Sequence, residues 1–282
     1  MRDYIGEILS FLGPTGVIIP LGLPGTNWNG QAIGENPAGT TVTAVHGGSG
    51  LNAVFTYSEA RKLFDAPTYY RGRGRVPHVP LNGVDEEADT PDDPYFTRAL
   101  LPFSLGLWYR PTTLPLQSNL FSKADWTPGA EAREWSTFIT STGNTQFLVI
   151  DETANAWIGR QNTTAPQIKD GFWYFLVFTY DGGTLASGMK IYRDYGMQID
   201  DADQSSGVFT TMRDTATLPQ FGFQIGTGGT AAQYALGTFR GGSIGPFVTQ
   251  IELTADQIKR LFLIGLDAQK NLSPDVRRLA RR

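Results

Sequence analysis

From Phe172 to Tyr180 the chain runs Phe-Trp-Tyr-Phe-Leu-Val-Phe-Thr-Tyr, nine consecutive aromatic, aliphatic or β-branched residues, with Asp170-Gly171 before them and Asp181-Gly182 after. So short an apolar run, made of the residue types that fit a pleated surface and closed by turn dipeptides, predicts a strand of a packed sheet. Met189-Lys190-Ile191-Tyr192-Arg193 follows at once and ends in Asp194-Tyr195-Gly196, a second strand with its own turn. Whatever this chain folds into has to bury that pair of strands.

Composition agrees with a large, turn-rich β protein. Of 282 residues, 33 are Gly and 17 Pro, 12% are aromatic and only 18% are charged. Length permits one sandwich with extensions or two smaller domains. Cysteine is absent, which removes disulfides, thiolate metal sites and a catalytic thiol. Two histidines, His46 and His78, cannot form a three-histidine metal centre, and both are expected in loops. A net charge of −4 lends no support to a nucleic-acid partner.

The start of the chain is apolar, but Glu7, Pro14 and Pro20 interrupt it, and Leu23-Pro24-Gly25-Thr26 does not read as a cleavage site. The expectation is neither a signal peptide nor a membrane span, but a short amphipathic helix (Tyr4, Ile5, Ile8, Leu9, Leu12) stopped by Gly13-Pro14 and followed by an extended arm.

Three zones emerge. Residues 1–75 form an N-terminal arm and irregular extension, with a helix expected over Tyr57–Phe64 and some of the zone able to join the sandwich. Residues 76–265 carry strand after strand: Phe103–Tyr109, Leu120–Lys123, Trp135–Thr140, Gln146–Ile150, Ala156–Gly159, Phe172–Tyr180, Met189–Tyr192, Phe221–Ile225, and Phe239–Glu252 in two pieces. Ser141-Thr142-Gly143-Asn144-Thr145 reads as a hairpin loop. Leu253-Thr254-Ala255-Asp256-Gln257-Ile258 has the pattern of a capping box with a hydrophobic staple, opening a helix expected to end at Gly265. Residues 266–282 are a basic helical tail starting near Ser273-Pro274.

These segments carry a resemblance. Asp170–Gly182 followed by Lys190–Gly196 looks like the paired strands of concanavalin A-like, laminin-G-like domains. Leu81–Asp85, Phe103–Pro111, Leu120–Asp125, Gln224–Gly226 and Phe239–Ile258 are similar, in the same order, to further segments of that superfamily. The resemblance implies an all-β fold, a jelly-roll sandwich of two antiparallel sheets, with an N-terminal arm and short C-terminal helices. It departs from the pattern in two places. Ile244–Ile251 lacks the family's two aspartates, and Trp173-Tyr174-Phe175 stands where the family has Trp-His-His.

Gly241-Gly242-Ser243-Ile244-Gly245 matches a nucleophile elbow, but no histidine follows position 78 and Pro246-Phe247-Val248 continues as strand. Gly226–Ala231 imitates a dinucleotide loop without the β-α-β period that loop needs. The resembling glucanases use E-x-D-x-x-E along one strand, and this chain has none. The nearest substitute is Glu134 opposite Asp151-Glu152. The acidic run from Asp85 to Asp93 offers oxygen ligands, with Asp85 and Asp89 as the candidates and calcium as the ion. Arg71, Arg73 and Arg75 read as a basic loop. Trp126, Trp157 and Trp28 fall at loops or strand ends and are the candidates for stacking on a sugar ring. Trp108, Trp135 and Trp173 are expected in the core.

The function expected is that of a non-enzymatic, lectin-like structural or adhesive module of a larger assembly that binds a glycan. The alternative is a glucanase-type hydrolase. Ile5, Ile8, Leu9 and Leu12 at one end, and Arg277, Arg278, Arg281 and Arg282 at the other, are the expected assembly contacts. The architecture resembles that of a tailed-bacteriophage virion protein, a capsid decoration or tail component. That implies other virion subunits and copies of itself as partners, no cofactor beyond calcium, and location in the virion after synthesis in the host cytoplasm.

Overall fold

The computed structural model describes residues 4–19, 35–36, 41–43, 45–46, 54–57, 61–62, 78–82, 88–114, 117–127, 129–164, 167–221, 223–224, 233–234, 236–240 and 245–272. Among them, two nine-stranded antiparallel sheets face each other. The first runs Met197–Gln198, Met189–Arg193, Tyr174–Tyr180, Phe103–Pro111, Phe247–Thr249, Val17–Ile18, Val45–His46. Leu236–Arg240 joins it by pairing with both Phe103–Pro111 and His78–Asn82. The second runs Ala202–Asp203, Ala156–Gln161, Thr145–Asp151, Ala132–Thr140, Gln117–Asp125, Gln220–Phe221, Ala88–Asp89, Val54–Tyr57, Thr41–Thr43. Strands from before residue 76 thus lie in both sheets.

The unbroken apolar run has a physical reason. Tyr174–Tyr180 pairs with Phe103–Pro111, from Tyr174 opposite Tyr109 to Tyr180 opposite Phe103. Side chains on a strand alternate between faces. Tyr174, Leu176, Phe178 and Tyr180 enter the core between the sheets with Phe103, Leu105, Leu107, Trp135, Phe147 and Val149. Phe175 and Val177 point the other way, into a second apolar layer with Trp108, Phe247 and Tyr192. A strand buried on both faces favours apolar residues throughout, and here Thr179 is its one aliphatic polar side chain.

Two helices close that second layer. Helix α1, Tyr4–Leu12, ends at Gly13, whose φ of 76° is the left-handed turn a glycine cap supplies and whose N–H donates to Leu9 O at 3.0 Å. Helix α2, Ala255–Leu272, opens with the expected reciprocal cap: Thr254 N–H donates to Gln257 Oε1 at 2.9 Å and Gln257 N–H to Thr254 Oγ1 at 3.3 Å. Leu253 and Ile258 are both buried in the same layer as Ile8, Leu12, Leu261 and Phe262. Tyr4 OH donates to Asp267 Oδ2 at 3.3 Å, tying the two helices together.

Several local expectations are corrected. Helix α2 continues through Gly265 to Leu272. The glycine is there because a Cβ would stand 2.9 Å from both Nε1 and Cζ2 of Trp108. Val54–Tyr57, paired with Ala88–Asp89 and Thr41–Thr43, and Arg61–Lys62, paired with Glu35–Asn36, are strands where a helix over Tyr57–Phe64 was expected, since sheet pairing overrides local preference. His46 and His78 belong to strands rather than loops. Trp135 fills the core between the sheets. Trp108 is core as expected, in the second apolar layer under the helices, whereas Trp173 is only partly buried and packs on the margin of that layer with the Arg110 guanidinium 5.5 Å from its ring. The hairpin at 141–144 is as expected, with Ile139 opposite Thr145 and Gly143 at φ 82°.

Candidate functional site

The second sheet carries the site on its outer face. Along Ala132–Thr140, Thr145–Asp151 and Ala156–Gln161, Ile139, Phe147, Val149 and Ile158 turn into the core. Their neighbours Phe138, Leu148, Ile150 and Trp157 therefore turn outward. Register sets them side by side: Ile150 lies opposite Trp157, Leu148 opposite Gly159 and Ser136, and Phe138 opposite Gln146. Trp126, which follows strand Gln117–Asp125, completes the cluster. Two tryptophans 31 positions apart in sequence thus share one aromatic face. Gly159 leaves the space that Leu148 occupies: a Cβ there would sit 2.4 Å from Leu148 Cδ2.

The tryptophans are held in place. Trp157 Nε1 donates to Gln204 O at 2.7 Å, and Trp157 and Ser206 exchange backbone hydrogen bonds of 2.9 Å. Arg133 lies over the Trp126 ring with its guanidinium carbon 4.6 Å from the centroid. That arginine is locked by a two-pronged pair with Glu152, Nε to Oε2 at 2.7 Å and Nη2 to Oε1 at 3.0 Å, and by Nη2 donating to Asn155 Oδ1 at 2.7 Å. Among the described residues the buried indole N–H of Trp126 has no hydrogen-bond partner. At the opposite end of the face, Gln146 Nε2 donates to Gln161 Oε1 at 3.1 Å, leaving amide groups along the edge. An apolar aromatic centre between a charged end and an amide end suits a ligand with a flat apolar face and many hydroxyls.

The remaining candidates fall elsewhere. Trp28, Asp85, Arg71, Arg73, Arg75, Arg277, Arg278, Arg281 and Arg282 lie outside the described residues, as do Gly226–Ala231 and Gly241–Ile244. Asp89 pairs in the second sheet between Gln220 and Thr56, and burial pushes its carboxyl above the ordinary value. Among the described residues no group of three or more histidine or carboxylate side chains is gathered as a metal ion requires. Ile8 and Leu12 are buried against this chain's own helix α2 and first sheet, with Leu9 packed beside them. Ile8, Leu9 and Leu12, three of the residues expected to meet a neighbouring subunit, are thus packed within the chain.

The three carboxylates weighed for hydrolysis are all engaged. Glu134 is fully buried and lies 2.7 Å from Lys123 Nζ. Burial pushes its carboxyl up from the ordinary value, and hydrogen bonds from Lys123, Thr97 and Thr215 only partly offset this. Asp151 is buried; burial alone would raise its carboxyl, but the Thr210 hydroxyl and the N–H groups of Ala154, Thr211 and Thr210 hold it below the ordinary value. Glu152 is taken by Arg133. The burial of Glu134 was not legible in the sequence, because it depends on a bulge: Lys123 pairs with Trp135 and Ala124 with Arg133, so the register passes over Glu134.

Comparison with known proteins agrees with this architecture. A model of the concanavalin A-like lectin/glucanases superfamily matches residues 82–240, more than half of the chain. No curated protein matches the chain by sequence similarity. Among solved structures, one described by the finding that cell entry of botulinum neurotoxin type C depends on interaction with two ganglioside molecules is 17% identical with a TM-score of 0.52, covering 88% of this chain and 51% of that one. The binding domain of Paraclostridial Mosquitocidal Protein 1 is 12% identical with a TM-score of 0.54, covering 89% and 53%. The chain spans about half the length of the solved chains it matches, and at these identities the likeness concerns the fold. With its two antiparallel sheets, their shared core and the family match over the same strands, the chain belongs to the concanavalin A-like lectin/glucanases superfamily.

Proposed function

We propose that this chain is a lectin-like, non-catalytic binding module that takes a glycan on the outer face of its second sheet, around Trp126 and Trp157. The observation that carries the reading is the convergence of these two tryptophans over Phe138, Leu148 and Ile150, flanked by the Arg133–Glu152–Asn155 group and the Gln146–Gln161 pair. Sugar rings present a flat C–H face to an aromatic ring and hydroxyls to the polar ends. A fold neighbour whose published description names ganglioside as its partner lends the same direction, as a property of that neighbour.

The wider part of the proposal is that the module serves a larger assembly, a tailed-bacteriophage virion, as an adhesive subunit. Its support is the sandwich architecture. Purified virions probed with antibody to this chain test the placement, and absence of the chain from particles defeats it.

For the site itself, the experiment is a glycan array followed by titration calorimetry on the best glycan. Trp126→Ala and Trp157→Ala should each weaken binding roughly tenfold, the equivalent of about 1.4 kcal/mol, while thermal unfolding confirms that each variant is folded. Unchanged affinity in both folded variants would remove the site. A reducing-sugar assay on the same glycan separates binding from hydrolysis, and sustained sugar release lost in Glu134→Gln would favour a glucanase instead.

A further inference from the structure

Lys123 is the most unusual residue of the interior. Its side chain is 0% exposed, yet it carries an ammonium group. Three oxygens surround Nζ: Glu134 Oε1 at 2.7 Å, Asp92 Oδ1 at 2.7 Å and Thr97 Oγ1 at 2.6 Å, with Asp214 Oδ1 at 3.8 Å. The site adjoins the aromatic packing of Phe96, Phe121 and Trp135, whose indole N–H donates to Phe96 O at 3.0 Å. A buried pair of opposite charges gains little over an uncharged replacement, because desolvating both ions offsets their attraction.

The two nearest carboxylates are held differently. Glu134 is anchored at both oxygens: Oε1 accepts the N–H and hydroxyl of Thr215 at 2.9 and 3.1 Å, and Oε2 accepts the Thr97 hydroxyl at 2.6 Å. Among the described residues the buried Asp92 Oδ1 has no hydrogen-bond partner, so the approach of Nζ to it is a contact of charge without hydrogen-bond alignment. One carboxylate is fixed as a proton carrier. The other presents its carbon beside an amine.

We propose that Lys123 and Asp92 condense into an intramolecular isopeptide bond, with Glu134 carrying the proton. One proton passes from the ammonium to Glu134, directly or through the Thr97 hydroxyl, which accepts from Lys123 and donates to Glu134. The freed lone pair attacks Asp92 Cγ, forming the N–Cγ bond. A Cγ–O bond then breaks, and the oxygen leaves as water with two of the three ammonium protons, one of them returned by Glu134. The third proton remains on the amide nitrogen. Ammonium plus carboxylate gives amide plus water, and no other reactant is needed. Holding the partners in contact supplies the effective concentration that the same condensation lacks in solution. The 23% exposure of Asp92 gives the water an exit, whereas Asp214 is farther from Nζ and 52% exposed. The bond would tie the segment before Tyr95 to strand Gln117–Asp125 covalently, a useful property in a module that bears load.

Intact-mass spectrometry of the full chain in denaturant tests this. The expected mass is below that of the sequence by one water, and a protease digest should yield one branched peptide joining Asp92 to Lys123, with no tryptic cleavage after Lys123. Asp92→Asn should give the same linkage with loss of ammonia in place of water. Asp92→Ala, at a partly exposed position, should keep its full mass. Glu134→Gln should accumulate at least tenfold more unlinked chain than the parent protein. A parent protein at full sequence mass, water loss persisting in Asp92→Ala, or a branched peptide mapping to Asp214 overturns the assignment. Complete linkage in Glu134→Gln overturns the role given to that residue.

Discussion

Asp201 joins the loop after strand Ala156–Gln161 to the edge strand Ala202–Asp203. Its Oδ1 accepts the N–H and hydroxyl of Thr163 at 2.6 and 2.9 Å, and its Oδ2 accepts the N–H of Thr164 at 2.8 Å and the Thr164 hydroxyl. Burial would raise its carboxyl, but these bonds, led by the Thr164 hydroxyl, outweigh it and hold the group at about 2, below the ordinary 3.8. A carboxylate depressed in the folded state contributes stability that is fully present above its unfolded value and is lost as pH falls through its folded value. Asp201→Asn should therefore lower Tm at pH 7, with the gap to the parent protein closing between pH 3.8 and about 2. Thermal melts at the two ends of that window check it, and equal Tm values at pH 7 would show that the exposed loop gains nothing from the charge. The run Asp200-Asp201-Ala202-Asp203 gave no hint of this in the sequence, since the four donors to Asp201 come from residues 163 and 164.

Helix α2 shows the same division at the scale of an element. Its start was legible, because a capping box and a staple involve residues within five positions of one another. Its end was not, because Gly265 reads locally as a stop and its real constraint is Trp108, which is stacked on Phe262 with centroids 5.3 Å apart. Gly265→Ala should consequently destabilise the protein. Replacing a helical glycine gains about 1 kcal/mol in propensity, but forcing a methyl into a packed contact costs about 1–3 kcal/mol. Chemical denaturation measures the balance, and an increase in stability would show that Trp108 can move aside. Strand Ala132–Thr140 offers the parallel case: its stretch from Trp135 to Thr140 was readable as strand, and its bulge at Glu134 was not.

At the scale of the molecule, the first sheet is the middle layer of three, with the second sheet on one side and helices α1 and α2 on the other. Removing residues 254–282 should uncover Trp108, Phe175 and Phe247 together and give a dye-binding, aggregation-prone species. A truncated chain that bound no more dye than the parent, with an unchanged Tm, would show that the helical layer is not needed to cover that face. What the sequence determined by itself was short in range: the strand from Tyr174 to Tyr180, the hairpin at Gly143, the glycine stop after Leu12 and the cap at Thr254. Each depends on residues a few positions apart, whose preferences act before any distant contact forms. Tertiary structure alone decided that Phe175 and Val177 lie under helices, that Trp126 and Trp157 share a face, and that Lys123 meets Asp92 and Glu134 in the interior. These depend on strand register and on which layer covers which face, and both are set by contacts between residues tens to hundreds of positions apart.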